Sequence, residues 1–131
     1  MLYVIKHRGK GEGLKVQIMG IDDSLAAFPK GSFRFINLMN HKIMLRFDDK
    51  RINLASRRSR VVPVTGSVLG GYMPFLVGDK QGEIILETQI FHQPAGRKLV
   101  FIGPSDRGRV KPTVKYFTEI VRPSENVNPS P

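Results

Sequence analysis

The sequence contains no cysteine. That absence excludes disulfides, thiolate nucleophiles and cysteine-ligated metals together, and leaves the redox compartment open. Long apolar runs are missing too; none approaches the length needed to cross a membrane. Acid is scarce, with 11 Asp and Glu against 21 Lys and Arg, a formal charge of +10. Such a balance serves solubility and favours acidic partners: nucleic acid, anionic headgroups or acidic polysaccharide. No stretch has the length and period of a stable helix.

What is present is alternation. Pro29 to Phe47 holds two apolar runs around Met39-Asn40-His41-Lys42, the sequence form of a β-hairpin. In Phe33–Leu38 the two phenylalanines share one face, and Arg34 shares the other with Ile36 and Leu38. That placement predicts a strand covered on both sides, with Arg34 paired or at a rim. Ile43, Leu45 and Phe47 alternate with Lys42, Met44 and Arg46, which predicts one buried and one wet face. Asn37, at a strand end before a turn, is expected to bond free backbone groups there.

The rest of the chain reads the same way. Leu2–Lys6 and Leu14–Met19 flank a glycine-rich turn as a first hairpin. Asp22-Asp23-Ser24 caps a single helical turn over Leu25–Phe28, stopped by Pro29. Asp48-Asp49-Lys50 is a turn, and alternation resumes through Ile52 and Leu54. Pro63 marks Val61–Val64 as an edge or bulge, and Pro74 interrupts Tyr72–Val77. Glu83–His92 is the longest strand candidate; Lys98–Ile102 and Thr113–Val121 follow. Eight to ten short strands predict an all-β fold: one antiparallel β-sandwich with an immunoglobulin-like look, or a partly open barrel. The expected domain is 1–121, with 122–131 a disordered proline-rich tail. Phe33, Phe35, Leu45, Phe47, Ile84, Leu86 and Phe101 are the expected core.

No catalytic constellation emerges. His7, His41 and His92 lie in separate segments and read as solvated positions rather than metal ligands. The Asp22-Asp23 and Asp48-Asp49 pairs fit turn and cap duty, and no serine sits in a nucleophile-elbow pattern. The expectation is a non-enzyme with no cofactor, no metal and no catalytic residue. Candidate anion- or partner-binding residues are Arg57, Arg58 and Arg60 in one basic run and Arg107, Arg109 and Lys111 in another, with Lys6, His7, Arg8 and Lys10 a third cluster. Charges beside a proline-marked edge also discourage unwanted strand pairing, so the first run has a protective reading as well. Tyr72, Phe91, Tyr116 and Phe117 are the candidate exposed aromatics on which bases could stack, the basis of an alternative reading as an OB-like nucleic-acid-binding domain.

Phe28-Pro29-Lys30-Gly31-Ser32-Phe33-Arg34-Phe35-Ile36-Asn37-Leu38 resembles a phrase that recurs in small exported bacterial proteins of unknown function, where such a strand opens a β-sandwich. Gly70–Pro74 and Arg97–Pro104 resemble later segments of that group. The resemblance implies an exported, envelope-associated domain and carries over no site residue. The expected function is a non-enzymatic binding or assembly module of the bacterial cell envelope, its partner an unknown protein or an anionic polymer. The opening Met-Leu-Tyr-Val-Ile-Lys-His-Arg is not a signal peptide. A periplasmic or envelope-associated location is therefore expected only if Met1 stands where a leader was removed.

Overall fold

The computed structural model describes residues 2–9, 13–20, 24–64, 71–105 and 111–120, the first two stretches as backbone only. Among these residues ten strands run in order: β1 (Leu2–Gly9), β2 (Gly13–Gly20), β3 (Ser32–Asn37), β4 (Ile43–Phe47), β5 (Lys50–Leu54), β6 (Ser59–Pro63), β7 (Gly71–Gly78), β8 (Ile84–His92), β9 (Gly96–Gly103) and β10 (Thr113–Ile120). β1 and β2 form an antiparallel hairpin of their own. The others make two four-stranded sheets, β10-β9-β3-β6 and β5-β4-β7-β8. Every pairing is antiparallel except β3 with β9. The sheets pack face to face as a sandwich and do not close into a barrel. The expected tail at 122–131 lies outside the described residues.

The core follows from period-two placement. Phe33 and Phe35 of β3 meet Phe47 of β4 edge-on, with ring centroids 4.7 and 5.1 Å apart, and Phe35 stacks on Phe75 of β7 at 5.4 Å. Ile43, Leu45, Val77, Ile90, Val100 and Ile102 pack around these rings in the interior, with Ile52, Leu54, Val62 and Met73. Full burial of one such aromatic or aliphatic side chain contributes roughly 1.5–3 kcal/mol.

A second, smaller cluster lies on the outer face of β3 and β9, where Phe28 packs with Ile36, Leu38, Leu99 and Phe101. Its cover comes from the short turn before β3. Phe28 N–H donates to the Ser24 carbonyl at 2.8 Å, and Ala27 N–H to the Ser24 hydroxyl, giving the single capped turn. The Phe28 ring then lies against two guanidinium groups, Arg34 at 5.2 Å and Arg97 at 4.8 Å from its centroid. Arg97 also donates to the Phe28 carbonyl and to Glu119. Both arginines are thereby buried with partners, which is how a charged residue survives inside a sheet face.

Several expectations change. Ile84 is 52% exposed, because a register shift between Val77 and Gly78 turns the start of β8 off the core face. Leu86 is half-buried, and Phe101 is buried in the outer cluster rather than between the sheets. Pro74 does not break β7: β4 pairs no further than Phe75, so the missing donor opposes no strand on that side. His92 is buried, tilted against Phe33 and bonded through Nε2 to the Gly31 carbonyl at 3.1 Å.

Candidate anion-binding surface

The Arg57–Arg60 run is split by the fold. Asn37 N–H donates to the Arg58 carbonyl and Arg57 N–H to the Asn37 carbonyl, each at 2.9 Å. This clasp holds the turn at the end of β3 and sets Arg57 in the left-handed region, at φ 64°. Both side chains project to solvent there. Lys111, also exposed, precedes β10 at the same end of the sheet, because Asn37 and Thr113 flank the neighbouring pair Ile102 and Gly103. β3 and β9 lie between them, which separates the two by on the order of 10–14 Å. Arg107, Arg109 and Lys10 lie outside the described residues. Lys6, His7 and Arg8 belong to strand β1 rather than to a loop.

Arg60 goes elsewhere. It opposes Phe35 on β6 and lines a shallow groove between β5 and β6 with Lys50, Arg51, Val62 and Pro63. Lys50 crosses that groove, its ammonium donating to the Pro63 carbonyl at 3.2 Å. β6 is a sheet edge, as Pro63 predicts.

Arg51, which also lines the groove, stands directly opposite Arg46 on the outer face of β5-β4-β7-β8. Like charges so placed repel and destabilise the pair. Neither arginine has an acidic partner among the described residues. Lys50, Arg51 and Arg60 thus line the groove together, and Arg46 adjoins them through its pairing with Arg51. Only Arg60 was a candidate from sequence. The missing signal was the turn itself: two residues between β4 and β5 place Phe47 opposite Lys50 and therefore Arg46 opposite Arg51.

The four candidate aromatics are all exposed: Tyr72 by 70%, Phe91 by 40%, Tyr116 by 41% and Phe117 by 58%. Tyr72 and Phe91 form a cross-strand edge-to-face pair at 5.2 Å on the same outer face as Arg46 and Arg51. Between them and that arginine row lie Pro74 and Gln89, a distance of about 13 Å along the strands. Behind the pair, Lys98 is buried and donates to the Phe91 carbonyl at 2.6 Å. Its ammonium lies 5.9 Å from both the Phe91 and Tyr116 rings. Burial holds its pKa below the ordinary 10.5.

Among the described residues, no group of His, Asp or Glu is arranged to hold a metal ion, and no helix is long and apolar enough to cross a membrane. No family model and no curated protein matches the chain.

Proposed function

We propose that this chain is a non-enzymatic binding module of the bacterial cell envelope that takes an anionic polymer on the surface formed by Arg46, Lys50, Arg51 and Arg60. The envelope assignment rests on the resemblance carried by Phe28–Leu38, Gly70–Pro74 and Arg97–Pro104. The ligand assignment rests on one observation, the directly opposed Arg46–Arg51 pair. Two guanidinium groups held against their own repulsion are lowered in energy by an anion that bridges them, and guanidinium geometry suits carboxylate, sulfate or phosphate oxygens. Lys50 and Arg60 extend the positive potential around the sheet edge, so that a chain of charges is accommodated rather than a single ion.

The test is a titration with heparin across a salt series, comparing wild type with Arg46→Ser/Arg51→Ser. Wild type should bind at low salt, and the variant should bind more weakly with a shallower dependence on salt. Absence of wild-type binding at low salt overturns the reading.

A second reading is single-stranded nucleic acid, favoured by the Tyr72–Phe91 pair on the same face as the arginines. Base stacking on such a ring is worth about 1–3 kcal/mol. Tyr72→Ala should then weaken binding of a mixed-sequence oligonucleotide while leaving heparin affinity unchanged. Equal affinity of wild type and Tyr72→Ala for the oligonucleotide excludes it.

A further inference from the structure

The sandwich has four sheet edges, and three of them carry features that discourage pairing. β6 has Arg60 and Pro63; β5 has Lys50 and Arg51. On β8 the Phe91 carbonyl already accepts from Lys98. β10 is different. It has no proline and no glycine, it pairs only with β9 among the described residues, and it exposes Tyr116, Phe117 and Ile120. An unprotected edge of this kind is a template for another strand.

The strand that fits it is its own copy. The Gly96 and Ile102 carbonyls accept bonds from Gly31 and Leu38, on the side of β9 away from β10. By alternation, Arg97, Leu99 and Phe101 exchange their backbone bonds with Glu119, Phe117 and Lys115. Val114, Tyr116, Thr118 and Ile120 therefore direct their N–H and C=O groups out of the edge. Place a two-fold axis at Phe117, with two β10 strands antiparallel. Tyr116 then exchanges bonds with Thr118 of the second copy, and Val114 with Ile120. Every outward backbone group from Val114 to Ile120 finds a partner.

The side chains agree with the same axis. Lys115 lies opposite Glu119 of the second copy, twice by symmetry, and the two Phe117 rings meet between these ion pairs. An axis at Tyr116 or Thr118 leaves both charges without an opposite partner. Glu119 is already oriented, its Oε2 3.0 Å from Arg97 Nε and its side chain 61% exposed, so it can take a second cation. On the inner face Tyr116, Thr118 and Ile120 are all exposed. The β5-β4-β7-β8 sheet thus stops short of β10 and leaves that side of the axis open.

We infer that two copies of this chain pair antiparallel through β10 about a two-fold axis at Phe117, joining two four-stranded sheets into one. The isologous contact is closed, so it gives a dimer and not a fibre. It lies apart from the basic groove at the β5 and β6 edges and does not depend on the ligand proposed for it.

Light scattering on a size-exclusion column should return twice the chain mass of 14.7 kDa. Lys115→Glu sets Glu against Glu at both ends of the contact and should weaken the dimer about tenfold or more. Glu119→Lys should do the same, and mixing the two variants should restore a dimer, because each then supplies what the other lacks. Far-UV circular dichroism verifies that each variant is folded. The absence of native cysteine allows an independent measurement. Phe117 would form a non-hydrogen-bonded pair, with Cα atoms about 4.5 Å apart, within disulfide reach. Phe117→Cys should cross-link under mild oxidation, and Lys111→Cys, remote from the axis, should not. A wild-type mass of 14.7 kDa at all concentrations overturns the inference. So does a dimer indifferent to Lys115→Glu, or a variant mixture that stays monomeric.

Discussion

Asn37 closes one end of the sandwich with a single amide. Its Nδ2 donates to the His41 and Leu54 carbonyls, each at 3.0 Å, and its Oδ1 accepts from Met39 N–H at 2.8 Å. The side chain is wholly buried, and its backbone simultaneously clasps the Arg57–Arg58 turn. Asn37→Ala leaves those groups without partners, at about 1–3 kcal/mol for each one that stays dry. The expected loss is about 3 kcal/mol by urea unfolding. Asn37→Asp should be at least as damaging despite equal shape, since a carboxylate cannot donate to either carbonyl. If Asn37→Asp kept wild-type stability, the amide would not be the fastening.

Lys98 is the other residue whose surroundings set its chemistry. Burial disfavours its ammonium, so its folded pKa lies below the 10.5 of the unfolded chain. Between those two values the unfolded state binds more protons, and stability therefore rises with pH. Below the folded pKa both states are protonated and the burial penalty is constant. Wild type should gain stability relative to Lys98→Met as pH climbs from neutral toward 10.5. Denaturant unfolding of both proteins over that range measures the gain; parallel curves would show that the ammonium is not penalised in the fold.

Among the elements, the β4–β5 hairpin has a turn that works against its residues. Asp48 and Asp49 both hold positive φ, 50° and 60°, as a two-residue hairpin turn of matching twist requires. Aspartate adopts this region at some cost and glycine at none. Asp49→Gly should raise stability by up to about 1 kcal/mol. A stability loss in thermal unfolding would mean that the Asp49 side chain contributes a bond worth more than the strain.

The elements also show where sequence reading reaches and stops. β4 was legible because Ile43, Leu45 and Phe47 alternate cleanly, and β3 because Arg34 sits among aliphatics. β9 was only partly legible: Arg97 and Lys98 look like solvent-facing residues, yet both are buried. The partner that makes this tolerable for Arg97 is Phe28, far back in the chain, and alternation says nothing of such a contact. Ile84 was misplaced because a bulge shifts facing without changing the residue pattern. His92 looked solvated for a similar reason, since its acceptor Gly31 comes from another sheet's approach segment. For the candidate surface, the surplus of basic residues was visible but its assembly was not. Arg57, Arg58 and Arg60 are neighbours in sequence and part in space, while Arg46 and Arg51 meet only through register.

At the scale of the whole molecule, a charge of +10 is a cost to compactness that no single residue explains. Arg46 and Arg51 concentrate that cost in one cross-strand pair, and this gives the ligand hypothesis a consequence in stability. Replacing Arg46 by Glu turns the repulsion into an attraction at the same two positions. Opposite charges across an antiparallel pair contribute roughly 0.2–1 kcal/mol, and the relieved repulsion adds a similar amount. Arg46→Glu should therefore be more stable than wild type in the absence of ligand, most clearly at low salt, where screening is weak. The same change removes one cation from the anion-binding surface and installs a competing carboxylate, so heparin affinity should fall. Heparin should also raise the thermal midpoint of wild type, because a ligand that binds only the folded state stabilises it, and this rise should shrink in the variant. The paired outcome, higher intrinsic stability with weaker binding, is what a surface kept for a ligand produces. Were Arg46→Glu to gain stability and keep full heparin affinity, the polymer would bind elsewhere, and the opposed arginines would have to be explained without it.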